Sequence, residues 1–354
     1  MSHLIFLGTK AQLVKMAPVM LALDQEGVDY VFCWSGQHQE TIADLIEDFG
    51  IRSPDIRLID EDEKNSKIKL FGWLLKSLFR LHRLLKKTSY QSIVVHGDTL
   101  SALVGGLIGN LNKMETVHVE AGLTSGHLLQ PFPEELVRRI VTRLSDVYFC
   151  QDTVAYDRVT DLGDAFLTEG NSLLDAVNIA MGRDKFGRDE GEAGYILVSI
   201  HRVENVDSSS LYDLCELLID LSVSYRVKFV LHSVTREKLV QYGFLSKLES
   251  YSIQLLSRSN YSVFLKLISR SRCLITDGGS NQEECFYLGH PCLIWREETE
   301  RSEGLGKNAI LSGKNPVVAK DFVENAKQFD RLASSGLKSP SRFIAKIIKQ
   351  RHDS

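Results

Sequence analysis

TVHVEAGLTSGHLLQPFPEELVRR, residues 116–139, carries the main signals for an α/β fold. It opens with an alternating apolar run that ends at Glu120, where a strand gives way to a loop. It closes on Pro131-Phe132-Pro133, followed by Glu134, Glu135 and the apolar spacing of a helix. Ligands bind α/β sheets outside the carboxyl ends of the strands, so Glu120 and Glu134 are candidate site residues. The helix dipole also favours acids in a first turn, which accounts for Glu134 or Glu135 but leaves Glu120 unexplained.

The same alternation of short apolar runs and helical patterns extends in both directions from this stretch. We predict strands at LIFLG, VDYVFCW, DIRLID, QSIVVHGDT, METVHVEAG and DVYFCQDT, and again at YILVSIHR, VKFVLHS, SIQLL, RCLITDGG and PCLIWRE. Strands that alternate with helices indicate parallel, doubly wound sheets. With a change-over near residues 169–175, the pattern predicts two Rossmann-like domains with an interdomain cleft.

The domain boundaries follow from this pattern. We predict an N-terminal Rossmann-like domain at residues 1–170, which carries the acid-base residues, and a nucleotide-binding Rossmann-like domain at residues 171–336. Residues 337–354 include Ser339-Pro340-Ser341, which reads as the start of a capped helix. We predict that this helix packs back on the first domain.

Composition excludes several classes of protein. The chain of 354 residues is 44% hydrophobic, enough for two cores, and its net charge of -4 gives no general attraction to nucleic acid or a membrane surface. Its six cysteines lie far apart without a CxxC motif, so neither a zinc site nor a disulfide framework is predicted. A strand begins within a few residues of Met1, and no apolar run reaches the ~20 residues of a membrane span. We expect a cytoplasmic, soluble protein.

Two histidine–carboxylate pairs stand at predicted strand ends. His96 with Asp98, and His118 with Glu120, are each two residues apart and would share a face of an extended strand. Four such side chains could hold a metal. They could instead form an acid-base cleft with separated pKa values, or be structural histidines. We predict no metal site, because hard-cation sites need better-defined ligand spacing.

Several loops offer groups for an anionic ligand. The first βα loop, Gly8 to Gln12, is neither GxGxxG nor a P-loop, but Lys10 or Lys15 could face a phosphate; exposed lysines beside an ordinary turn are the alternative. His201-Arg202 ends a strand, and arginine can bind a phosphate in two places. In the segment 277–284, DGGSNQEE, a strand runs into two glycines and the start of a helix, which suits an anion. An ordinary glycine turn is again the alternative.

Taken together, these motifs resemble the UDP-N-acetylglucosamine 2-epimerase family, which has the GT-B fold. The resemblance runs in order through GTKAQLVKMAPVM, GQHQE, VVHGDT, VHVEAGL, PFPEE, EGNSLLDA, SIHRVEN and DGGSNQEECFYLGHPCLIWREETERSEG. It implies elimination of UDP across C1–C2 of the sugar to give a 2-acetamidoglucal, then addition of UDP or water with C2 inverted. It also implies a cytoplasmic homodimer that needs no cofactor and serves cell-surface polysaccharide biosynthesis.

The resemblance assigns roles by motif. Asp98, Glu120 and Glu134 correspond to the acid-base carboxylates, and His201 to the histidine by the diphosphate. The substrate and nucleotide set comprises Lys10, Lys15, Arg202, His232, Gly279, Ser280, Glu284, Arg296, Glu300 and Arg301. The chain departs from the family pattern at Lys10-Ala11-Gln12, Thr124 and Val203, which leaves the identity of the nucleotide sugar open.

Three functions fit these motifs. The first is a sugar-nucleotide 2-epimerase; the others are a GT-B glycosyltransferase and a non-catalytic nucleotide-sugar binder. A binder has no need of three carboxylates, and a transferase need not invert C2. Within the first function, Glu40 and Val203 depart from the pattern of reversible members. We therefore predict a hydrolysing outcome, with release of UDP and free 2-epimerised sugar.

The segment FGWLLKSLFRLHRLLKK, residues 71–87, is a basic amphipathic helix. Such a helix can lie on an anionic membrane. More often its apolar stripe packs on a sheet or against a second subunit. We predict the packing or dimer role, without stable membrane insertion.

Overall fold

The computed structural model describes residues 2–37, 42–59, 67–126, 132–182, 194–299, 301–333 and 337–353. The chain separates into two compact units. The first comprises Met1–Ala176 and Lys338–Ser354, and the second comprises Val177–Leu337.

The first unit is built on a seven-stranded parallel sheet in the order β3-β2-β1-β4-β5-β6-β7. Its strands are β1 (His3–Leu7), β2 (Tyr30–Trp34), β3 (Ile56–Arg57), β4 (Ser92–His96), β5 (Glu115–Val119), β6 (Val147–Cys150) and β7 (Asp164–Leu167). All five residues of β1 are buried, as are those of β4. Helices cover both faces of such strands, which is why they read as continuous apolar runs.

The helices of the first unit follow the strands in alternation. They are α1 (Lys10–Glu26), α2 (Ala43–Phe49), α3 (Lys67–Leu85), α4 (Leu100–Leu111), α5 (Glu134–Leu144), α6 (Thr153–Asp157) and the last helix, α14 (Pro340–Asp353). Helix α7 (Leu173–Met181) begins in the first unit and ends in the second. Helix α1 begins with a capping box, in which Thr9 and Gln12 satisfy each other's backbone N–H groups. It ends at Gly27, whose φ of 70° is the left-handed conformation that favours glycine.

Helix α14 belongs to the first unit by its contacts. It packs along α1, where Lys349 Nζ donates to the carbonyl of Glu26 at 2.7 Å. Arg351 pairs with Glu115 at 2.7 Å and with Asp164 at 2.6 Å, so the C-terminal helix is tied to the starts of β5 and β7. The buried side chains of Ile344, Ala345 and Ile348 supply its apolar face.

The second unit has a six-stranded parallel sheet in the order β10-β9-β8-β11-β12-β13. The strands are β8 (Ile196–Ile200), β9 (Val227–Leu231), β10 (Gln254–Ser257), β11 (Cys273–Thr276), β12 (Cys292–Ile294) and β13 (Ala309–Leu311). The helices are α8 (Ser208–Ser222), α9 (Ser233–Gln241), α10 (Phe244–Ser250), α11 (Tyr261–Arg270), α12 (Gly279–Leu288) and α13 (Pro316–Glu324), with 3₁₀ turns at Val203–Asn205 and Ala326–Phe329.

Both sheets confirm the predicted doubly wound α/β architecture. Each of the eleven strand segments predicted from the sequence contains a strand, although the third is reduced to two residues, Ile56–Arg57. Two edge strands, β7 and β13, were not predicted. Strand β7 has no buried residue, and β13 is only three residues long, so neither has a strong apolar signal. No helix in the described ranges combines the length and the apolarity needed to cross a bilayer.

Candidate active site

Glu120 leaves the end of β5 in a strained conformation. Its φ is +63°, a left-handed value that costs a residue with a side chain on the order of 1 kcal/mol or more. Gly122 follows with φ +77°, and a Cβ there would lie 2.1 Å from the carbonyl oxygen of Ala155. The Glu-Ala-Gly turn therefore needs its glycine, and it directs the Glu120 side chain away from the course of the strand.

Polar side chains from three parts of the first unit converge on one oxygen of Glu120. Lys15 Nζ in α1 lies 2.7 Å from Glu120 Oε2, and the two side chains are 6% and 8% exposed. Asn171 Nδ2 donates to the same oxygen at 3.0 Å, and His96 Nε2 lies 3.2 Å from it. A buried carboxylate with such partners is compensated in its ionised form.

The two lysines of the first βα loop and helix α1 thus have partners inside the unit. Lys15 is the counter-ion of Glu120, and Lys10 pairs with Asp44 at 2.9 Å. Their assignment to phosphate binding stays a prediction. The structure adds that Lys15 contacts an acid-base candidate directly.

Asp98 lies beyond the end of β4, the strand next to β5, and has its own cation. Arg138 Nη2 in α5 contacts Asp98 Oδ2, while Arg138 Nη1 donates to Glu135 Oε2 at 2.7 Å. Arg138 is therefore held between two carboxylates. Asp98 remains 29% exposed, whereas Glu135 is fully buried.

Glu135 is the internal anchor of this part of the site. Beyond Arg138 it accepts from Arg139 Nε at 2.9 Å, from the Ser125 backbone N–H at 3.1 Å and from the Thr124 hydroxyl. Burial by itself raises the pKa of Glu135, but these hydrogen bonds and the nearby guanidinium groups lower it below its ordinary value. Glu135 thereby connects the loop after β5 to α5.

Glu134, the predicted acid-base residue of the same motif, is the first residue of α5 and is exposed. The adjacent loop residues 127–131 lie outside the described residues. Glu134 and Glu135 thus differ in environment: one faces solvent at a helix start, and the other is buried among cations. The catalytic role of Glu134 stays a prediction.

His118 has the character of a structural histidine. Its side chain is fully buried, and its Nε2 lies 2.9 Å from the carbonyl oxygen of Gly97. Burial lowers the pKa of His118 to about 4, so the ring is neutral at physiological pH. Within the described residues, no group of three or more His, Cys, Asp or Glu side chains is arranged to hold a metal ion.

In the second unit, Asp277 organises the segment that contains His201. Asp277 follows β11, is fully buried, and accepts from the backbone N–H groups of His201 at 3.1 Å and Arg202 at 2.9 Å. Asn205 Nδ2 donates to it at 3.0 Å, and His201 Nδ1 lies 3.2 Å from Asp277 Oδ1. Although burial raises the pKa of Asp277, the hydrogen bonds and the His201 charge lower it overall. Asp277 therefore holds the backbone that carries His201 and lies beside its imidazole ring.

His201 and His232 form one surface of the second unit. Their rings stack with centroids 4.4 Å apart, and His232 Nε2 lies 3.4 Å from Ser199 Oγ. A Cβ on Gly278 would lie 3.0 Å from His201 Cε1, so the glycine lets the backbone pass close to the ring. Helix α12 begins directly afterwards at Gly279, and a helix start presents unpaired N–H groups to an anion.

The remaining predicted nucleotide residues have different environments. Ser280 is exposed in the first turn of α12, and Arg202 and Arg296 are half-buried. Glu284 is buried and accepts from Asn281 Nδ2 at 2.9 Å. Its neighbour Glu283 is fully buried and pairs with Arg301 Nη1 at 3.0 Å. Glu300 lies outside the described residues.

Four residues of these networks were not predicted as site residues: Glu135, Arg138, Asn171 and Asp277. The Glu135–Arg138 pair has the three-residue spacing of a helical ion pair, which could have been read from PEELVRR. Asp277 precedes the two glycines of a predicted anion loop, which is also a readable signal. Asn171 had no local signal, because its partner Glu120 is 51 residues away.

Comparisons with known proteins identify the family of the chain. A family model described as UDP-N-acetylglucosamine 2-epimerase matches residues 21–340. A UDP-N-acetylglucosamine 2-epimerase of Bacillus subtilis is 29% identical over 347 residues, 93% of this chain and 88% of that protein. A UDP-2,3-diacetamido-2,3-dideoxy-D-glucuronate 2-epimerase of Pseudomonas aeruginosa is 27% identical over 338 residues, 91% of this chain and 90% of that protein.

A solved structure extends the similarity to the fold. The crystal structure of Methanocaldococcus jannaschii UDP-GlcNAc 2-epimerase in complex with UDP-GlcNAc and UDP has a TM-score of 0.82 and 25% identity, covering 99% of this chain and 100% of that one. The two parallel sheets together with this similarity establish the GT-B fold. Since the family model spans both units from residue 21 to residue 340, the chain belongs to the UDP-N-acetylglucosamine 2-epimerase family, a family of isomerases.

Proposed function

We propose that the protein epimerises C2 of UDP-N-acetylglucosamine or a related UDP-N-acetyl sugar. One observation carries the proposal: Asp98 and Glu120 follow the neighbouring parallel strands β4 and β5, and each has its own cation. Two carboxylates with separate counter-ions suit a reaction that removes a proton and returns one. Relatives that bind or epimerise UDP-GlcNAc support the choice of substrate.

The chemistry assigns distinct tasks to these groups. A base removes the proton from C2 while the C1–oxygen bond to the diphosphate breaks, which forms a C1–C2 double bond and releases UDP. Return of a proton to the opposite face of C2, with UDP or water adding to C1, completes the inversion. General acid-base residues typically contribute factors of ~10²–10⁴ to such steps. We assign this work to Asp98, Glu120 and Glu134.

We assign the nucleotide to the second unit. The support is the start of α12 at Gly279 together with His201, whose backbone N–H donates to the buried Asp277 carboxylate. A departing diphosphate develops negative charge, and preoriented N–H donors and an imidazole stabilise that charge. His232, Arg202, Arg296 and Arg301 complete the proposed nucleotide set.

The experiment that tests the proposal follows the C2 proton. The protein is incubated with UDP-GlcNAc in deuterated water, and the sugar is observed by NMR. We expect loss of the C2 proton signal and appearance of the C2 epimer, with Glu120→Gln as the inactive control. If neither exchange nor UDP release occurs with any N-acetylated UDP-sugar tested, the proposal is wrong.

We further propose that the chain forms a homodimer through an apolar surface on α3 and α4. Phe71, Leu75 and Phe79 recur every four residues along α3 and are 61%, 52% and 67% exposed. Helix α3 packs against α4, which exposes Leu107 and Leu111. Exposed apolar side chains in such number mark an interaction site. The net charge of -4 favours a second copy over an anionic membrane as the partner.

Mass measurement tests the dimer. We expect light scattering after size exclusion to give twice the chain mass, and Phe71→Ser with Phe79→Ser to give a folded monomer. Flotation with phosphatidylserine vesicles at low salt, in contrast, would assign the helix to a membrane surface.

We also propose a cytoplasmic location and a role in supplying a sugar for cell-surface polysaccharide. All six cysteines carry free thiols, as in proteins of a reducing compartment. Fractionation of expressing cells tests the location, and recovery of the protein in a secreted fraction would contradict it.

A further inference from the structure

The amide of Asn171 occupies a position where hydrogen bonding allows only one orientation. Asn171 is buried, and its Oδ1 accepts from the backbone N–H of Leu173 at 2.9 Å. Its Nδ2 donates to Glu120 Oε2 at 3.0 Å and to Gln151 Oε1 at 2.8 Å. The backbone N–H of Leu173 can only donate, whereas Glu120 Oε2 and Gln151 Oε1 accept. The donor and acceptor ends of the Asn171 amide are therefore determined. An ionised aspartate in this place could not donate to Glu120.

These contacts connect three parts of the first unit. Glu120 follows β5, Gln151 follows β6, and Asn171 precedes helix α7. The three side chains, with Thr168 and Ile344, line a cavity of about 10 Å³, room for at most one water molecule.

Asn171 is a neutral hydrogen-bond donor among the charged and titratable groups around Glu120. Lys15 comes from α1, His96 from β4, and the neutral His118 from β5. Lys15 supplies charge but is a flexible side chain with a rotating ammonium group. The Asn171 amide is planar and held at both ends, so it can restrict the rotation of the carboxylate.

We propose that Asn171 is a positioning residue, which holds Glu120 in the orientation required for proton transfer at C2 and supports its ionised form. The inference rests on the proposed function, in which Glu120 is an acid-base residue. Asn171 acts only through Glu120.

Asn171→Asp tests this role with almost no change of shape. The Oδ1 acceptor for Leu173 remains, while the donor that faces Glu120 becomes a second carboxylate oxygen. Two carboxylates at hydrogen-bonding distance do not both ionise, so one of them keeps a proton. We expect the acid side of the kcat–pH profile to move to higher pH by about one unit or more. Turnover lost at neutral pH should recover in alkaline buffer.

Asn315→Asp is the matched control. Asn315 is an exposed N-cap whose side chain only accepts hydrogen bonds, at 2.9 Å from Val317 N, so aspartate keeps its role. The kcat–pH profile of this variant should match that of the unmodified protein. A loss in Asn171→Asp that is equal at every pH would indicate a purely structural role and overturn the proposal.

A stability measurement separates this inference from the proposed function. The carboxyl that shares the proton in Asn171→Asp has a raised pKa. The substitution therefore destabilises the fold little at low pH and more as the pH rises. We expect the melting temperature to fall further at pH 8 than at pH 5.5. Combining Asn171→Asp with Glu120→Gln should abolish the pH-dependent part of this fall in melting temperature.

The outcomes are distinct. If the unmodified protein shows no C2 exchange, the proposed function fails, and the melting cycle still decides whether Asn171 and Glu120 are coupled. If the protein is active but Asn171→Asp keeps the normal pH profile, or the melting cycle shows no coupling, the positioning role is wrong.

Discussion

Replacing Lys15 by methionine removes the cation from a buried carboxylate while keeping an unbranched side chain of similar length in α1. The Lys15–Glu120 pair is 2.7 Å long, with side chains 6% and 8% exposed. Removing one partner of such a pair costs ~3–5 kcal/mol, because the remaining charge stays buried without its counter-ion. For a unit of 150–250 residues, each kcal/mol shifts the melting temperature by about 2–4 °C. We therefore expect the first unit to melt about 6–20 °C lower at neutral pH.

Lys10→Met is the control for this experiment. Lys10 lies in the same helix and pairs with Asp44 at 2.9 Å, but these side chains are 19% and 25% exposed. Solvent screens such a pair, so its loss should cost about 0–1 kcal/mol. Scanning calorimetry of both variants, and of Lys15→Met combined with Glu120→Gln, gives the comparison. The double variant should recover most of the loss because no charge remains buried. Equal losses for Lys10 and Lys15, or no recovery in the double variant, would refute the reasoning.

Four further predictions concern other parts of the chain. Glu134→Gln should reduce turnover by ~100-fold or more with little change in UDP affinity by calorimetry, and lost binding with normal turnover would contradict its acid-base role. Glu135→Gln should destabilise the first unit at neutral pH. Because the pKa of Glu135 is lowered, the difference in stability from the unmodified protein should vanish as pH falls through that pKa. A stability difference independent of pH would argue against this. Deleting residues 338–354 should lower the melting temperature of the first unit, and a truncated chain that melts normally would rule out a stabilising role for α14. Product analysis should find UDP and free 2-epimerised sugar; a stable equilibrium of two nucleotide sugars without free UDP would exclude hydrolysis.

The architecture was predictable because its signal is local. Buried parallel strands such as β1 and β4 are short apolar runs, and each is followed by a helical pattern. The strand ends place Asp98 and Glu120 at one edge of the sheet without further information. The edge strands β7 and β13 lack such runs, since an edge strand buries less of its surface. Short or partly exposed strands give little periodicity to detect.

The residues that hold the candidate site residues in place were less predictable, because their contacts join residues far apart in the sequence. Asp277 holds the backbone of His201 across 76 residues, and Lys15 reaches Glu120 across 105 residues. Nothing in the local sequence distinguishes Lys15, which is buried, from the more exposed Lys10. Only the three-dimensional arrangement assigns different partners to them. The candidate catalytic residues are marked by motif, whereas long-range contacts such as Lys15–Glu120 are seen only in the fold.

The environments of Glu120 and Asp98 also imply a division of labour. Glu120 is 8% exposed and accepts from Lys15 and Asn171 on one oxygen, whereas Asp98 is 29% exposed and contacts Arg138. Titratable groups held in different environments are suited to different steps of a proton-transfer reaction. A group shielded from solvent keeps the proton it takes from the substrate, while a group at the surface exchanges protons with water. We infer that Glu120 works on the substrate proton directly and that Asp98 is the carboxylate in faster exchange with solvent. In the deuterium experiment, this division predicts that the C2 epimer carries deuterium from the first turnover, whereas the remaining UDP-GlcNAc gains deuterium more slowly than the epimer forms, because Glu120 returns the original proton to the original face. Deuteration of the remaining UDP-GlcNAc at least as fast as epimer formation would show that both carboxylates exchange freely and that their burial does not separate their roles.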